Sequence, residues 1–451
     1  MEIYKKILFL AAPLALHSVL FSSLGFIDTF MLSKLGGETV AAAGIGARTL
    51  WFAMNVLIGV GGATAIFCSQ YYGAKNSGKI NQSVHISLLH SLLFSLLLIP
   101  TIYFGAEFIS TLMSKDTVVI ALAASYMKIT AFILLISAFS VIWGAAIRAL
   151  QKPKVMLYLF LVEMLINIIF NCLLIYGWWG FPELGLVGAA WATLIARISS
   201  TLLLFIYVHA ELPILSVSLT GFSKVLPWAE NKRFLQISLP IIAGEIIWSG
   251  GIFIYHMIYG NISTTALAAI SILAPIEVMT SSICWGAAAA VGILIGEKIG
   301  AQQQHALKEY IKAAFVAALS LGLILVATLW LSRHLIVGLF NGIEQEVIEM
   351  LHLLFPFILL SIILRAITMT AMSGVLKSGG DTKFTMKLDF IAQWFGAVPL
   401  SLIAAFWFEW PIQLVFSMVL LEEALKLIPV IYRIKSGKWI QNLAKESQAT
   451  V

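Results

Sequence analysis

The sequence predicts an all-α integral membrane protein with twelve transmembrane helices arranged as two pseudo-symmetric six-helix bundles. Its residues are 60% hydrophobic and 11% charged, with a mean hydropathy of +0.97, which leaves too few polar groups to cover a globule in water. Apolar stretches of about 20 residues, the length that crosses a bilayer as a helix, recur along the chain. An internal repeat divides these stretches into two equal sets.

The repeat relates residues 5–74 to residues 232–301 at a constant offset of 227 positions. At this offset Pro13 aligns with Pro240, each within an apolar stretch. Many secondary transporters are built from such repeats, with the substrate site near mid-membrane between them. Because each half has an even number of helices, the symmetry axis should lie along the membrane normal. The repeat therefore predicts a transporter made of two moving parts.

Twelve segments have the length and hydropathy of a membrane-spanning helix, six in each half. Those of the first half are residues 7–32, 41–70, 84–105, 118–143, 155–177 and 186–209. Those of the second half are residues 234–258, 266–296, 310–331, 347–372, 388–408 and 412–432. The connection between the halves contains Pro213, Gly221 and Pro227, as linkers often do. We therefore define an N-lobe, a cytoplasmic linker, a C-lobe and a cytoplasmic tail, which are residues 1–209, 210–233, 234–435 and 436–451.

The distribution of Lys and Arg predicts the orientation of these helices. One face carries only Lys34, Lys115 and Arg333. The other carries nineteen basic residues, which are Lys5, Lys6, Lys75, Lys79, Arg148, Lys152, Lys154, Lys224, Lys232, Arg233, Lys298, Lys308, Lys377, Lys383, Lys387, Arg433, Lys435, Lys438 and Lys445. Basic residues in short loops mark the cytoplasmic side. We therefore expect a multi-pass protein of the plasma (inner) membrane with both termini in the cytoplasm, and a net charge of +6 that requires no nucleic-acid partner.

Several kinds of chemistry lack a sequence signature. Cys68, Cys172 and Cys284 show no paired spacing, and the histidines lack the i, i+4 spacing of a zinc motif. The sequence also contains no P-loop, HExxH or GxSxG motif. We therefore expect no metal site of these types, no cofactor and no ATP-driven step, and the protein is not predicted to be an enzyme.

Asp28 is the strongest candidate for a functional residue. It lies in a stretch that is otherwise apolar from Ile7 to Leu32, apart from His17 and a few hydroxyl groups. A charge at membrane depth costs at least about 2.5 to 3.5 kcal/mol and is normally retained for an ion pathway or a relay. One such carboxyl group can alternate between binding a proton and binding a cation. Its alternative role is structural, with neighbouring hydroxyl groups as its partners.

Glu163, Asn167 and Asn171 form a polar face on the fifth predicted helix. Their i, i+4 and i+8 spacing places all three side chains on one side of that helix. We expect this face to point toward Asp28. Amide and carboxylate groups there offer oxygen ligands for Na⁺ or a hydrogen-bonded path for a proton, but they could equally hold helices together.

The second half contains candidates for binding the transported molecule. Glu245 and Trp248 precede two glycines that would let a ligand or a neighbouring helix approach. Asp389 could pair with Arg365 or Lys387. The set of candidate cargo-binding residues is Glu245, Trp248, Tyr255, Arg365 and Asp389. Glu422 and Lys426, four residues apart, are expected to form an ion pair with each other.

Five segments together resemble the multidrug and toxic compound extrusion family. They read GFIDTFMLSKLGGETVAAAGI, CSQYYGAKN, LINIIFNCLLIYG, GLVGAAWATLIAR and GVLKSGGDTKF, and the resemblance extends over nearly the whole chain. It implies cation-coupled drug efflux by a twelve-helix fold. It also implies a cation site in the N-lobe, formed by the matching residues Asp28, Asn167, Asn171 and Thr193.

Two departures from the family pattern bear on the coupling ion. Some members have a carboxylate where Asn171 stands, so a Na⁺ ion bound here would have one negatively charged ligand fewer. Members that couple through the C-lobe have acids on the seventh and tenth helices. Here Glu245 lies about one turn before the first of these positions, and the tenth helix offers Arg365 instead of an acid. The resemblance therefore implies coupling to H⁺, which we prefer, or to Na⁺.

The function that we predict is export of amphipathic organic cations in exchange for H⁺ or Na⁺ by alternating access. The predicted partners are small-molecule cations and the lipid bilayer, and we predict a monomer. The alternative is a flippase of the same superfamily that moves a lipid-linked substrate. Such a protein should have a more cationic cavity, whereas the charges at membrane depth here are mostly acidic. A polytopic membrane enzyme is disfavoured because no nucleophile and base or metal constellation is present.

Overall fold

The computed structural model describes residues 2–218, 221–222, 227–338 and 345–446. Two pieces of the predicted elements lie outside this part of the chain. They are residues 219–220 and 223–226 of the predicted linker, which include Lys224, and residues 447–451 of the predicted tail. Within the described part the protein consists of helices and contains no strand. In chain order the helices are α1 (Glu2–Ser33), α2 (Gly37–Gly73), α3 (Ser77–Met113), α4 (Thr117–Thr130), α5 (Ile133–Ala149), α6 (Pro153–Tyr176), α7 (Gly185–Glu211), α8 (Trp228–Ile262), α9 (Thr264–Gly300), α10 (Gln304–Gly338), α11 (Gln345–Gly379), α12 (Thr382–Phe406), α13 (Ile412–Ser436) and α14 (Leu443–Glu446).

Each of the twelve predicted spans coincides with an observed helix or pair of helices. In the described part of the chain, ten helices are long and apolar enough to cross a membrane. Helices α4 and α5 meet at a bend of 47°, and the two together have the length and hydropathy of an eleventh span. The remaining span is α13, whose 25 residues are long enough to cross a bilayer but include Glu422, Glu423 and Lys426.

Two of the spans contain irregular turns. Helix α11 includes a π-helical stretch, Thr370–Leu376, and ends in a 3₁₀ turn. Gly380 then has a φ of +86°, a left-handed conformation that glycine adopts without a steric penalty. Helix α12 contains a second π-helical stretch, Ile391–Ala397. Such stretches widen the backbone locally and often occur at functional sites.

The chain forms two compact units, which we call the first unit and the second unit. The first unit is Leu20–Ile242, and the second comprises Met1–Val19 and Ala243–Val451. Within the first unit, α2, α4 and α7 enclose a core around Leu32, Ala42 and Ile175. Within the second unit, the start of α1 packs with α9 and α11. Each unit therefore has a hydrophobic core of its own.

Close backbone contact between α6 and α7 positions the polar face of α6. A Cβ atom added at Gly188 would overlap the backbone carbonyl group of Leu174, which cannot move aside as a flexible side chain could. We expect Gly188→Ala to destabilise the protein by about 1–3 kcal/mol, the usual cost of overpacking. Gly44→Ala is the matched control, because no atom lies within 4 Å of the added Cβ atom there. Thermal unfolding of the purified variants checks this, and equal melting temperatures would contradict it.

Candidate functional site

Asp28 lies in the last third of α1 and is partly buried within the first unit. Its carboxylate Oδ1 accepts a hydrogen bond from Asn171 Nδ2 at 2.6 Å. Among the described residues, no basic side chain lies within ion-pair distance of Asp28. The carboxylate is therefore held by a neutral amide, which leaves its charge without a protein counter-charge.

A chain of hydrogen bonds continues from Asp28 across α6 to α7. Asn171 Nδ2 also donates to Asn167 Oδ1 at 3.0 Å. Asn167 Nδ2 donates to Thr193 Oγ1 at 3.3 Å, and Thr193 Oγ1 donates to the carbonyl oxygen of Ala189 at 2.9 Å. The structure thus brings together Asp28, Asn167, Asn171 and Thr193, which we call the α1–α6–α7 site.

One acceptor in this site lacks a donor. Asn171 is fully buried, and its Oδ1 atom has no hydrogen-bond partner among the described residues. A buried acceptor without a donor costs about 1–3 kcal/mol unless a ligand satisfies it. Together with the oxygens of Asp28, Asn167 and Thr193, it provides hard ligands of the kind that bind Na⁺, and the Asp28 carboxylate can take up a proton instead.

Glu163, the third residue of the predicted polar face, does not contact Asp28 but forms an ion pair. Arg197 Nη2 lies 3.1 Å from Glu163 Oε1 within the first unit, and both side chains are largely buried. Arg197 follows Thr193 by four residues, so the two lie on the same side of α7. The four-residue spacing from Thr193 is the sequence feature that could have predicted Arg197 to lie beside the polar face of α6. Glu163 is therefore neutralised, whereas Asp28 is not.

The second unit contains a chain of polar and charged side chains between α8, α12 and α13. Tyr255 Oη donates to Glu422 Oε2 at 2.6 Å. Lys426 Nζ lies 2.7 Å from Glu422 Oε1 and 3.0 Å from Asp389 Oδ1. The predicted pair between Glu422 and Lys426 therefore forms. Asp389, for which we expected Arg365 or Lys387, is paired with Lys426.

Arg365 lies in a neighbouring group on α9, α11 and α13. Its Nη2 is 2.7 Å from Glu277 Oε1, and its Nη1 donates to Ser281 Oγ at 2.8 Å. Glu423 lies at the outer limit of ion pairing, with 4.0 Å between its Oε1 and Arg365 Nε, and accepts a short hydrogen bond from Thr368 Oγ1. The sequence indicated a charged partner for Arg365 but did not show which acid would reach it.

The other cargo-binding candidates lie at separate contacts in the second unit. Glu245 Oε1 is 3.6 Å from Lys377 Nζ, a longer and more exposed pair than those of Lys426. The Trp248 carbonyl oxygen accepts a hydrogen bond from Gln393 Nε2 at 3.4 Å. A Cβ atom added at Gly251 would overlap the Gln393 side chain, so the expected close approach is made by helix α12. Among the described residues, no hydrogen bond or ion pair joins Glu245 or Trp248 to the Tyr255 and Asp389 network.

Comparison with known proteins finds relatives that align with about nine-tenths of the chain. The MatE family model matches residues 13–173 and 240–403. The probable multidrug resistance protein YoeA of Bacillus subtilis is 25% identical over 410 residues, which cover 89% of this chain and 87% of YoeA. The probable multidrug resistance protein NorM of a Synechococcus species is 27% identical over 412 residues, covering 90% of this chain and 88% of NorM.

Solved structures share the fold. A crystal structure of a MATE protein in complex with MaL6 has a TM-score of 0.86 and 18% sequence identity, with 97% of each chain covered. A crystal structure of the Vibrio cholerae MATE transporter VcmN in a mutant form has a TM-score of 0.87 and 16% identity, again with 97% of each chain covered. These matches confirm the predicted all-α membrane fold of twelve helices in two bundles.

Proposed function

Because this chain belongs to the MatE family, we propose that it exports amphipathic organic cations across the inner membrane in exchange for H⁺ or Na⁺, with H⁺ preferred. As a transporter of this family it is not an enzyme, and it needs no cofactor. The relatives named as probable multidrug resistance proteins support a drug-like cargo. The excess of basic residues on one face supports cytoplasmic termini.

The observation that carries the proposal is the unpaired carboxylate of Asp28. A carboxylate without a counter-charge is costly at membrane depth, and uptake of a proton or a cation removes that cost. Asn171 Nδ2 can donate to the Asp28 carboxylate with or without a bound Na⁺ ion. Asn171 Oδ1, which accepts no hydrogen bond from the described residues, can accept one from a protonated Asp28 or bind the cation. The site therefore suits an exchangeable ion better than a permanent structural role.

Exchange requires that the ion and the cargo favour different conformations. A ligand can shift the balance between two conformations only by its difference in affinity for them. We assign ion binding to the α1–α6–α7 site of the N-lobe, residues 1–209, and motion to this lobe relative to the C-lobe, residues 234–435. Opposite preferences of ion and cargo then give antiport.

The cargo contact that we favour is Glu245 with Trp248. A cationic cargo can bind an acid only by displacing the basic group that already neutralises it. Glu245 is held by one amine, that of Lys377, at 3.6 Å, whereas Asp389 shares the buried amine of Lys426. A cationic cargo can thus displace the basic partner of Glu245 more easily than that of Asp389. The indole of Trp248 offers a face for an organic cation. Tyr255, Asp389 and Arg365 would then support this contact from the neighbouring networks.

The proposed function is tested by efflux of a fluorescent organic cation from vesicles that contain the purified protein. A proton gradient and a Na⁺ gradient are imposed separately, and the dye is followed in each case. Movement driven by one gradient supports antiport and identifies the ion. If a well-folded preparation moves no cation under either gradient, the drug-antiport proposal is wrong and a lipid-linked cargo becomes the leading alternative.

Asn171→Asp should make the α1–α6–α7 site depend on Na⁺. The change would place two carboxylates in contact, because Asn171 Nδ2 and Asp28 Oδ1 are 2.6 Å apart. Two adjacent carboxylates cannot both be ionised unless a cation lies between them, and without one they share a proton. We expect NaCl to raise the melting temperature of the variant more than that of the wild type. Choline chloride at equal ionic strength is the control, and equal responses to both salts would contradict the prediction.

A further inference from the structure

One face of α13 is apolar and exposed along most of its length. The most exposed side chains are those of Ile428 and Tyr432, at 77% and 76%. They continue a stripe at helical spacing that comprises Leu414, Leu421, Leu425, Ile428 and Tyr432. The next position at this spacing is Lys435, which is exposed at the end of the helix. In a membrane-spanning helix such a face contacts acyl chains, and a terminal lysine reaches the headgroups.

The neighbouring helix α12 has the same arrangement at the same end. Lys387 is exposed, and Ile391 and Phe395 follow it at intervals of four residues with exposed side chains. Helices α12 and α13 pack together, since Asp389 pairs with Lys426 at 3.0 Å. Arg433 Nε donates to Asp381 Oδ2 at 2.6 Å, which brings the beginning of α12 beside the end of α13. Each apolar face thus has a lysine on the side where α12 begins and α13 ends.

The basic residues at this end fall into two groups. Lys377 and Arg433 are neutralised, by Glu245 and Asp381 respectively. The second group has no ion pair with any acidic side chain of the described residues, and its members are Lys383, Lys387, Lys435, Lys438 and Lys445. All five are exposed. The end of the α12–α13 pair therefore carries five exposed positive charges that no acidic side chain in the described part of the chain neutralises.

The segment after α13 is fixed against the second unit, so its lysines are held in place. Gly437 has a φ of +67° and ends α13, and the following Trp439 is 1% exposed. The amide nitrogen of Gln441 donates to the Gly379 carbonyl oxygen at 2.8 Å. Asn442 Nδ2 donates to the carbonyl oxygen of Ile299 at 3.0 Å. Lys438 and Lys445 are thus displayed by a docked segment and not by a free tail.

We propose that the α12–α13 pair binds an anionic phospholipid at this end. The phosphate-containing headgroup contacts the uncompensated lysines, chiefly Lys387 and Lys435, and the acyl chains lie along the exposed apolar faces. Clusters of four to eight basic residues next to a membrane helix are typical of sites for anionic lipids. The proposal concerns the membrane-embedded fold and holds whatever cargo or ion the protein transports.

The test is native mass spectrometry of the purified full-length protein with equal amounts of phosphatidylglycerol and phosphatidylcholine. We expect the wild type to retain phosphatidylglycerol preferentially. Lys387→Gln with Lys435→Gln should reduce that preference by about fivefold for each lysine. The matched control is Lys308→Gln with Lys312→Gln on α10, which removes the same charge from exposed lysines elsewhere in the second unit. Size-exclusion chromatography establishes that all three proteins are folded.

Each outcome decides the proposal. Loss of the preference in the α12–α13 variant and its retention in the α10 variant support a localised lipid site. An equal loss in both variants would mean that general surface charge attracts the lipid, and no preference in the wild type would mean that no site exists; either result overturns the proposal. Displacement of the lipid by millimolar glycerol phosphate would also overturn it, because the apolar faces would then contribute nothing.

Discussion

Asp28→Asn is expected to reduce gradient-driven efflux of an organic cation by about 5- to 150-fold, the usual range for loss of coupling between two ligands. The variant should fold, because the asparagine oxygen can still accept the hydrogen bond from Asn171 Nδ2 that Asp28 Oδ1 accepts now. Its coupling to the gradient should be lost, because an amide neither takes up a proton nor supplies the negative charge that holds Na⁺. Dye efflux from vesicles under separate H⁺ and Na⁺ gradients measures the effect.

The control for this change is Asp116→Asn at the beginning of α4. Asp116 Oδ1 accepts hydrogen bonds from the amide groups of Val118 and Val119, at 2.8 and 3.4 Å. Asparagine caps a helix about as well as aspartate, so efflux should be unchanged. If Asp28→Asn showed the same efflux as the wild type, this carboxylate would have no role in coupling. The coupling site would then lie among the acids of the second unit.

The membrane helices were predictable because each needs a long apolar stretch, which the connecting segments do not contain. Their ends were less predictable, since a helix continues beyond the hydrocarbon layer: α3 runs over Ser77–Met113 where hydropathy indicated residues 84–105. The bend between α4 and α5 had no signal, because no Pro or Gly lies near Ala131 and Phe132. Hydropathy thus reports burial in the membrane and not the geometry of the backbone.

The α1–α6–α7 site was predictable to the extent that helical periodicity governs it. The four-residue spacing of Asn167 and Asn171 put both on the face that meets Asp28. Partners on different helices were harder to predict, because distance along the chain does not report distance between helices. Asp389 pairs with Lys426 of α13, whereas Lys387, two residues away, projects from another side of α12.

Lys426→Met is expected to destabilise the protein by about 3–5 kcal/mol, the cost of leaving buried charge without its partner. Lys426 is 3% exposed and lies within 3.0 Å of both Glu422 and Asp389. Its loss leaves two adjacent acids without a counter-charge at membrane depth. Thermal unfolding in detergent, followed by tryptophan fluorescence, measures the change. Lys128→Met is the control, because its pair with Glu107 is largely exposed and contributes at most about 1 kcal/mol.

Neutralising the acids as well should restore the stability that Lys426→Met removes. In the triple variant Lys426→Met, Glu422→Gln and Asp389→Asn, no charge remains to be compensated, and Glu422→Gln still leaves an acceptor for Tyr255 Oη. Replacement of a buried ion pair by neutral groups is often without cost, whereas removal of one partner is not. A triple variant as unstable as Lys426→Met would mean that Lys426 acts through packing of its aliphatic stem. Restored stability with normal efflux would make this network structural and leave Asp28 as the coupling acid.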